Sequence, residues 1–444
     1  MIKKVCLKFF VCTVLITAFC SCTTLASKPA RAVGTYFVQA NGNDRNNGLS
    51  EDKPFRSLFK AMVMANAGSI KTITVIGTLD VNSEQSSNKE RVFFIQGMGS
   101  SPILITGKNS ENDPPVLSAQ GSGRRVVLIR GNVPIRFENI EISGGESPDE
   151  GGGMGIGPGS SVTLGSGAVI QNNHSDNIGG GVLVAQGGSL FIDGGKIINN
   201  RSLAVGGGIA LVGKNSAVVF KSGEISGNHA QGGGGIAVSQ EASFTLSGGT
   251  INDNTADIGG GGAIVTLSGL FNMESGLIRG NMSSGSGGGI ALMERAVFIL
   301  EDGEIQGNRA AEHGGGIASD ITGNIIIKGG FISANSASVR GGGVFSAGPF
   351  IKSRGRIYGS DMPEDAANTA SLGAAVFIYK NDGAYKTRET SAGDELVLDD
   401  EADDGWILTG EFIPRQTNGD LDTEDHAASD KADEPGGFEN DLED

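Results

Sequence analysis

Eight glycine triplets, each closed by an apolar residue, punctuate the chain between Gly151 and Val344. They begin at Gly151, Gly179, Gly206, Gly233, Gly260, Gly287, Gly314 and Gly341, a period of about 27 residues. A unit this short cannot bury an apolar face alone, so stacked copies must supply one another's core. The unit that starts at Gly206 reads as three short strands, near residues 209–212, 217–221 and 224–228, separated by polar or Ser-Gly turns. In the middle strand Val218 and Phe220 alternate onto the same face as Phe244 and Leu246, Phe271 and Met273, Phe298 and Leu300, and Ile325 and Ile327 of later copies. These rows are the expected interior.

The third strand carries a second constant. Ile170, Ile197, Ile225, Ile251, Ile278, Ile305 and Ile332 each stand three residues before an asparagine: Asn173, Asn200, Asn228, Asn254, Asn281, Asn308 and Asn335. If each copy is one coil, these asparagines stack about 4.8 Å apart, where their amides can hydrogen-bond along a column running from Asn173 to Asn335. Asn also tolerates the left-handed backbone that a sharp corner requires. The triplets then serve close coil-to-coil approach and positive φ. A phosphate loop would open a helix and would not recur eight times. The nine-residue Asp period of calcium-binding rolls and the three-residue period of collagen are both absent.

Three strands per coil of this length predict an all-β, right-handed parallel β-helix, a pectate-lyase-like solenoid. The phrase Ile-x-x-Asn-x-Ala followed by Gly-Gly-Gly-Ile resembles the polymorphic outer-membrane-protein repeat of chlamydial surface proteins over about residues 150–345. Ile here replaces the Phe of that pattern, and a third Gly replaces its Ala. The resemblance implies a cell-surface β-helix with an adhesive role. Residues 357–377 are similar to the C-terminal part of treponemal β-helix lipoproteins.

The two ends frame this rod. Residues 1–22 carry Lys3, Lys4 and Lys8 before an apolar run over 9–20, which reads as a signal peptide. All four cysteines, Cys6, Cys12, Cys20 and Cys22, fall inside it, so no disulfide staples the mature domain. Phe19-Cys20-Ser21-Cys22 resembles a relaxed lipoprotein processing site with Cys22 as the acylated residue; an ordinary signal peptide cut near Ala26 or Ala32 is the alternative. Residues 23–35 form a linker and 36–70 an N-terminal cap of strand, Asn/Asp loop and helix over 56–66, covering the exposed first coil. The loop from Asn41 to Gly48 reads as an Asx-built turn, with cation binding as the alternative. The β-helix then runs over 71–393, most regularly over 151–344.

From Asp394 onward nineteen Asp and Glu face only Arg415 and Lys431, a net of −17 against −16 for the whole chain. The extension 394–444 is therefore expected to be largely disordered, and its charge disfavours nucleic acid as a partner.

Catalysis on a β-helix needs clustered acids or bases on a coil face. The outward row Asp193, Lys221, Ser247, Glu274, Glu301, Lys328 mixes signs, and its one carboxylate pair, Glu274 and Glu301, is outweighed by the reading of a solvated surface. Asp320 is the only acid on the first-strand segments surveyed. His174 and His229 occupy equivalent positions two coils apart with Arg201 between them, too far to share a metal; His313 and His426 complete the set, read as surface residues. No catalytic, cofactor or metal site is expected. The sequence predicts an exported scaffold, monomeric, anchored to the membrane through lipid at the cell surface or the periplasmic side of the outer membrane, with a host protein or glycan as ligand. A carbohydrate-active enzyme with its site on irregular loops is the alternative.

Overall fold

The computed structural model describes residues 34–379, apart from 85–89, 99–100, 111–112, 360–362 and 364, together with the strands Lys386–Thr387 and Trp406–Leu408. The repeats wind into a parallel β-helix of about 27 residues per coil. One twelve-stranded sheet collects the segments that follow the triplets, and an eight-stranded sheet collects two- to five-residue strands just after the asparagines, such as Arg201–Ser202 and Thr255–Gly259. A nineteen-stranded sheet holds the rest.

That large sheet departs from the three-strand expectation. In the middle coils the second and third predicted strands are one ten-residue element, as in Ala217–Ser226, Ser243–Asn252 and Leu270–Arg279. The Ser-Gly turn between them is a bend that keeps its ladder, with Gly223 at φ 116 and Gly276 at φ 104. Register shifts sit there, between Leu246 and Ser247 for example. The third side of the coil is instead the short strand after each asparagine.

The predicted rows fill one continuous core: Val218, Phe244, Phe271, Phe298 and Ile325 lie beside Phe220, Leu246, Met273, Leu300 and Ile327, all buried. Phe271 meets Phe244 and Phe298 edge to face at 4.8 and 5.5 Å.

Each glycine of the triplet has its own reason. The first adopts φ between 60 and 72 in all eight copies. The second has no room: a Cβ on Gly234 would lie 2.3 Å from the Thr255 carbonyl oxygen and 2.7 Å from that of Gly261 on the next coil. The third is pressed between the next coil and the asparagine, since a Cβ on Gly235 would lie 2.6 Å from the Gly262 oxygen and 3.0 Å from Asn254 Nδ2. A ninth copy, Gly373-Ala374-Ala375, continues the ladder through Gly342 N–H to Gly373 O and Gly343 N–H to Ala374 O. There the described neighbour beyond Val376–Ile378 is the antiparallel strand Lys386–Thr387, and among the described residues no parallel coil crowds the two alanines.

Pairings at both ends cover strand edges of the rod. Trp406–Leu408, assigned above to the disordered extension, pairs antiparallel with Phe350–Lys352 and covers a sheet edge with an apolar tripeptide. At the other end Thr35–Gln39 pairs with Thr72–Ile76, and helix α1 (Leu58–Ala67) buries Leu58, Ala61, Met62 and Ala65 over the first coils. The Asn41 to Gly48 loop is spent on building this cap. Asn43 and Asn47 accept from the N–H of Arg45 and Leu49. The Asp44 carboxylate accepts from the N–H of Arg56 and Ser57, and from Ser57 Oγ.

A second carboxylate, Glu84 at the end of helix α2 (Val81–Glu84), accepts from the N–H of Leu58 and Phe59. Burial, with Asp44 nearby, pushes its carboxyl up to about 7. Folding therefore favours the protonated form: the stabilisation is complete below the unfolded value near 4.5 and is lost as pH rises toward 7. Glu84→Gln is expected to flatten the pH dependence of stability between those limits. Urea midpoints measured from pH 4 to 8 check this, and a slope unchanged by the substitution would refute it.

Candidate functional site

The structure brings Asn173, Asn200, Asn228, Asn254, Asn281, Asn308 and Asn335 into a single buried column. At each step the backbone N–H and Nδ2 of one member donate to Oδ1 of the next, as from Asn228 to Asn254 at 3.0 and 2.9 Å. Nδ2 also donates to the carbonyl of the isoleucine on the preceding coil, from Asn254 to Ile225 O at 2.9 Å. Asn335 is not its end. Its N–H and Nδ2 donate to Asn368 Oδ1 at 2.8 and 3.0 Å, across an insertion that separates Asn368 from Ile357. At the other end Gly145 N–H donates to Asn173 Oδ1.

The left-handed corner residue is not the asparagine of the column but the one before it. Asn172, Asn199, Asp253 and Ala334 have φ of 54 to 55, and Gly227, Gly280 and Gly307 have φ of 62 to 64. The amide of the column is thus free to bond along the rod while its predecessor makes the turn. The column is architecture, and it fixes what the outside of the rod presents.

The outside of the large sheet is the broadest such surface. Facing away from the core, Thr163, Phe191, Val219, Thr245, Asn272, Ile299 and Ile326 stand in register on seven successive coils. A parallel row, Ser161, Ser189, Ala217, Ser243, Leu270, Val297 and Asn324, runs beside it. At about 4.8 Å per coil the face is roughly 29 Å long. All fourteen residues are uncharged and partly or fully exposed, with Phe191 at 40 %. Charges line its two edges and pair between neighbouring coils: Lys328 with Glu301 at 2.8 Å, and Lys214 with Glu241 at 3.0 Å. Alternation in these strands marks the inward rows, and the outward positions weighed for catalysis lie only at the end of the strand, beside this face.

The acids weighed for catalysis are otherwise engaged or isolated. Glu301 is the partner of Lys328, while Glu274 is exposed with Asn272 Nδ2 at 3.5 Å. Asp320 caps its own turn, accepting from the N–H of Thr322 and Gly323 at 2.7 Å, and it also accepts from Glu294 N–H at 3.1 Å. His174 and His229 each face an aspartate, Asp176 and Asp257, with Arg201 in register between them. His313 is not a free surface residue: it stacks on Phe345 at 4.6 Å, and burial, then Arg340, lowers its pKa. Among the described residues no group of three His, Cys, Asp or Glu is arranged to hold a metal.

Among the described residues, two hollows on the surface are notable for their lining. A shallow one of about 400 Å³ is lined by Ser275, Gly276, Leu277, Asp302, Gly303, Glu304 and Phe331. The other, about 500 Å³ and mainly apolar, lies at the N-terminal cap. Cys22, the alternative Cys20, residues 23–33 of the linker and His426 lie outside the described residues, while Thr35 at the linker's end already belongs to the first strand. Comparison with known families, curated proteins and solved structures gives no match to this chain.

Proposed function

We propose that the chain is an exported, lipid-anchored, non-enzymatic binding scaffold, with Cys22 as its anchor and the flat uncharged face as its contact surface for a host protein or glycan. The observation that carries this reading is that face: fourteen uncharged side chains in two registered rows, on a chain of net charge −16. Repeated, weakly apolar positions suit multivalent contact along the rod, and an acyl chain with a short linker would present it at a surface. The resemblance of the repeats to polymorphic outer-membrane-protein sequences supports the adhesive role, and that of residues 357–377 to treponemal lipoproteins supports the lipid anchor. Fold alone does not fix it.

Purified chain is tested against a glycan array and against immobilised laminin and fibronectin. Phe191→Asp combined with Ile299→Asp is expected to lower binding at least tenfold while leaving the thermal transition in place, since both side chains point away from the core. Binding that survives both substitutions would remove this face from the reading. In cells, Cys22→Ser should abolish palmitate labelling; retained labelling would point to Cys20 or to another mode of attachment. Protease cleavage on intact cells decides whether the rod faces outward.

The competing carbohydrate-active reading has one observation in its favour: Asp302 and Glu304 share a hollow with the exposed ring of Phe331. Release of reducing ends from acidic polysaccharides, lost in Asp302→Asn or Glu304→Gln, would replace the scaffold reading.

A further inference from the structure

Helix α1 is apolar on both sides. Its inner residues cover the core, yet Phe59, Val63 and Ala67, spaced on one stripe of the helix, face outward, with Phe59 56 % and Val63 43 % exposed. Lys60 and Asn66 are the only polar residues of the helix, and an apolar stripe of this kind is normally covered. Beside the stripe runs the strand Arg91–Gly97, followed by Met98, which is 53 % exposed. Phe94, Gln96 and Met98 form the second wall of the groove of about 500 Å³. Asn66 fastens the walls together, donating from Nδ2 to Gln96 O at 2.7 Å and accepting from Met98 N–H at 2.8 Å. Arg91, paired with Glu90 at 3.4 Å, lies over the Phe94 ring at 4.6 Å beside the rim.

What covers this groove follows from the chain that precedes it. Between Cys22 and Gly34 the only large apolar residues are Leu25 and Val33, too few to bury Phe59, Val63, Phe94 and Met98, whereas Lys28 and Arg31 are basic. This stretch spans at most about 40 Å when fully extended. If Cys22 is acylated, the reading on which this step rests, the cap is held within that distance of a bilayer. A short, basic connection and an outward apolar stripe are the features of an interfacial helix.

We infer that the cap groove is a membrane-contact surface: α1 lies on an anionic lipid bilayer through Phe59 and Val63, so that the rod stands on its N-terminal end. The acyl chain and the cap then form two attachments, which a single chain needs for lasting anchorage.

The test uses full chain carrying Cys22→Ser, which removes the acyl group, and vesicles of phosphatidylethanolamine and phosphatidylglycerol at 3:1. The unacylated chain is expected to cosediment with these vesicles, and Phe59→Glu with Val63→Glu to weaken partitioning at least tenfold. Met98→Glu on the opposite wall should weaken it as well, and it serves alone if the double variant does not fold. Ile326→Glu, on the distant flat face, should leave it unchanged. Absence of partitioning by the folded Cys22→Ser chain would overturn the inference. So would self-association in sedimentation that Phe59→Glu abolishes, because a second copy would then be the occupant. The anchor is judged separately by palmitate labelling of the unsubstituted chain, so the two ideas can fail independently.

Discussion

Gly234→Ala is expected to lower stability by about 3 kcal/mol or more, at the upper end of what an added methyl costs in a packed interior. The new Cβ would lie 2.3 Å from Thr255 O, 2.6 Å from Thr255 C and 2.7 Å from Gly261 O. All three are backbone atoms, and the asparagine column with its flanking ladders holds that backbone, so no side chain can swing aside. Gly121→Ala is the control: Gly121 has φ 68 but nothing within 4 Å of its Cβ position, which leaves only the left-handed strain of about 1 to 2 kcal/mol. Urea midpoints compared by circular dichroism separate the two, without assuming that a solenoid unfolds in one step. Gly234 has no left-handed φ, so a shift no larger than that of Gly121→Ala would mean that the coils part to admit the methyl group. Ala374 already performs the reverse experiment, occupying the equivalent position in a coil beyond which, among the described residues, no further parallel strand pairs.

The contrast shows how much of the fold the repeat made legible. Periodicity located the triplets, the inward rows and the asparagines, because each recurs at fixed intervals and each answers to stacking. What it did not resolve was which of two adjacent residues makes the corner. Asn172 and Asn199 sit beside asparagines of the column, and a chain of types, Asn, Gly, Asp and Ala, fills the left-handed position without a constant letter. The merging of two predicted strands was hidden for a similar reason: a Ser-Gly pair reads as a turn, whereas here glycine bends a strand without ending it.

The surfaces proposed for function were harder to see. Val219, Ile299 and Ile326 alternate with core residues, and in a single strand such positions look like ordinary β-formers; only their register across coils makes a face. Phe59 and Val63 lie on a helix whose capping role accounts for its inner side only. Asn368 follows Ile357 across an insertion, which removes the three-residue interval that marks every other member of the column.

That last member changes the second large expectation. Asn254→Leu strips partners from three buried groups: Asn228 N–H, one Asn228 Nδ2 hydrogen and the Ile225 carbonyl. Each unsatisfied group costs about 1 to 3 kcal/mol, so a loss of roughly 3 to 5 kcal/mol is expected once partial relaxation is allowed. If the column ended at Asn335, substitution there would be milder. In the structure Asn335→Leu deprives an equivalent set, Asn308 N–H, Asn308 Nδ2 and Ile305 O, and also removes the Nδ2 donor to Asn368. The two substitutions should therefore shift the urea midpoint by similar amounts, and Asn368→Leu should destabilise the final coils by freeing Asn335 N–H and removing the Nδ2 donor to the Tyr358 carbonyl, while the Ile332 carbonyl keeps its bond from Tyr358 N–H. Amide hydrogen exchange gives the local readout: protection at Asn335 should fall in Asn368→Leu while that at Asn228 holds. A milder Asn335→Leu, with exchange at Asn335 unmoved by Asn368→Leu, would place the end of the column one coil earlier.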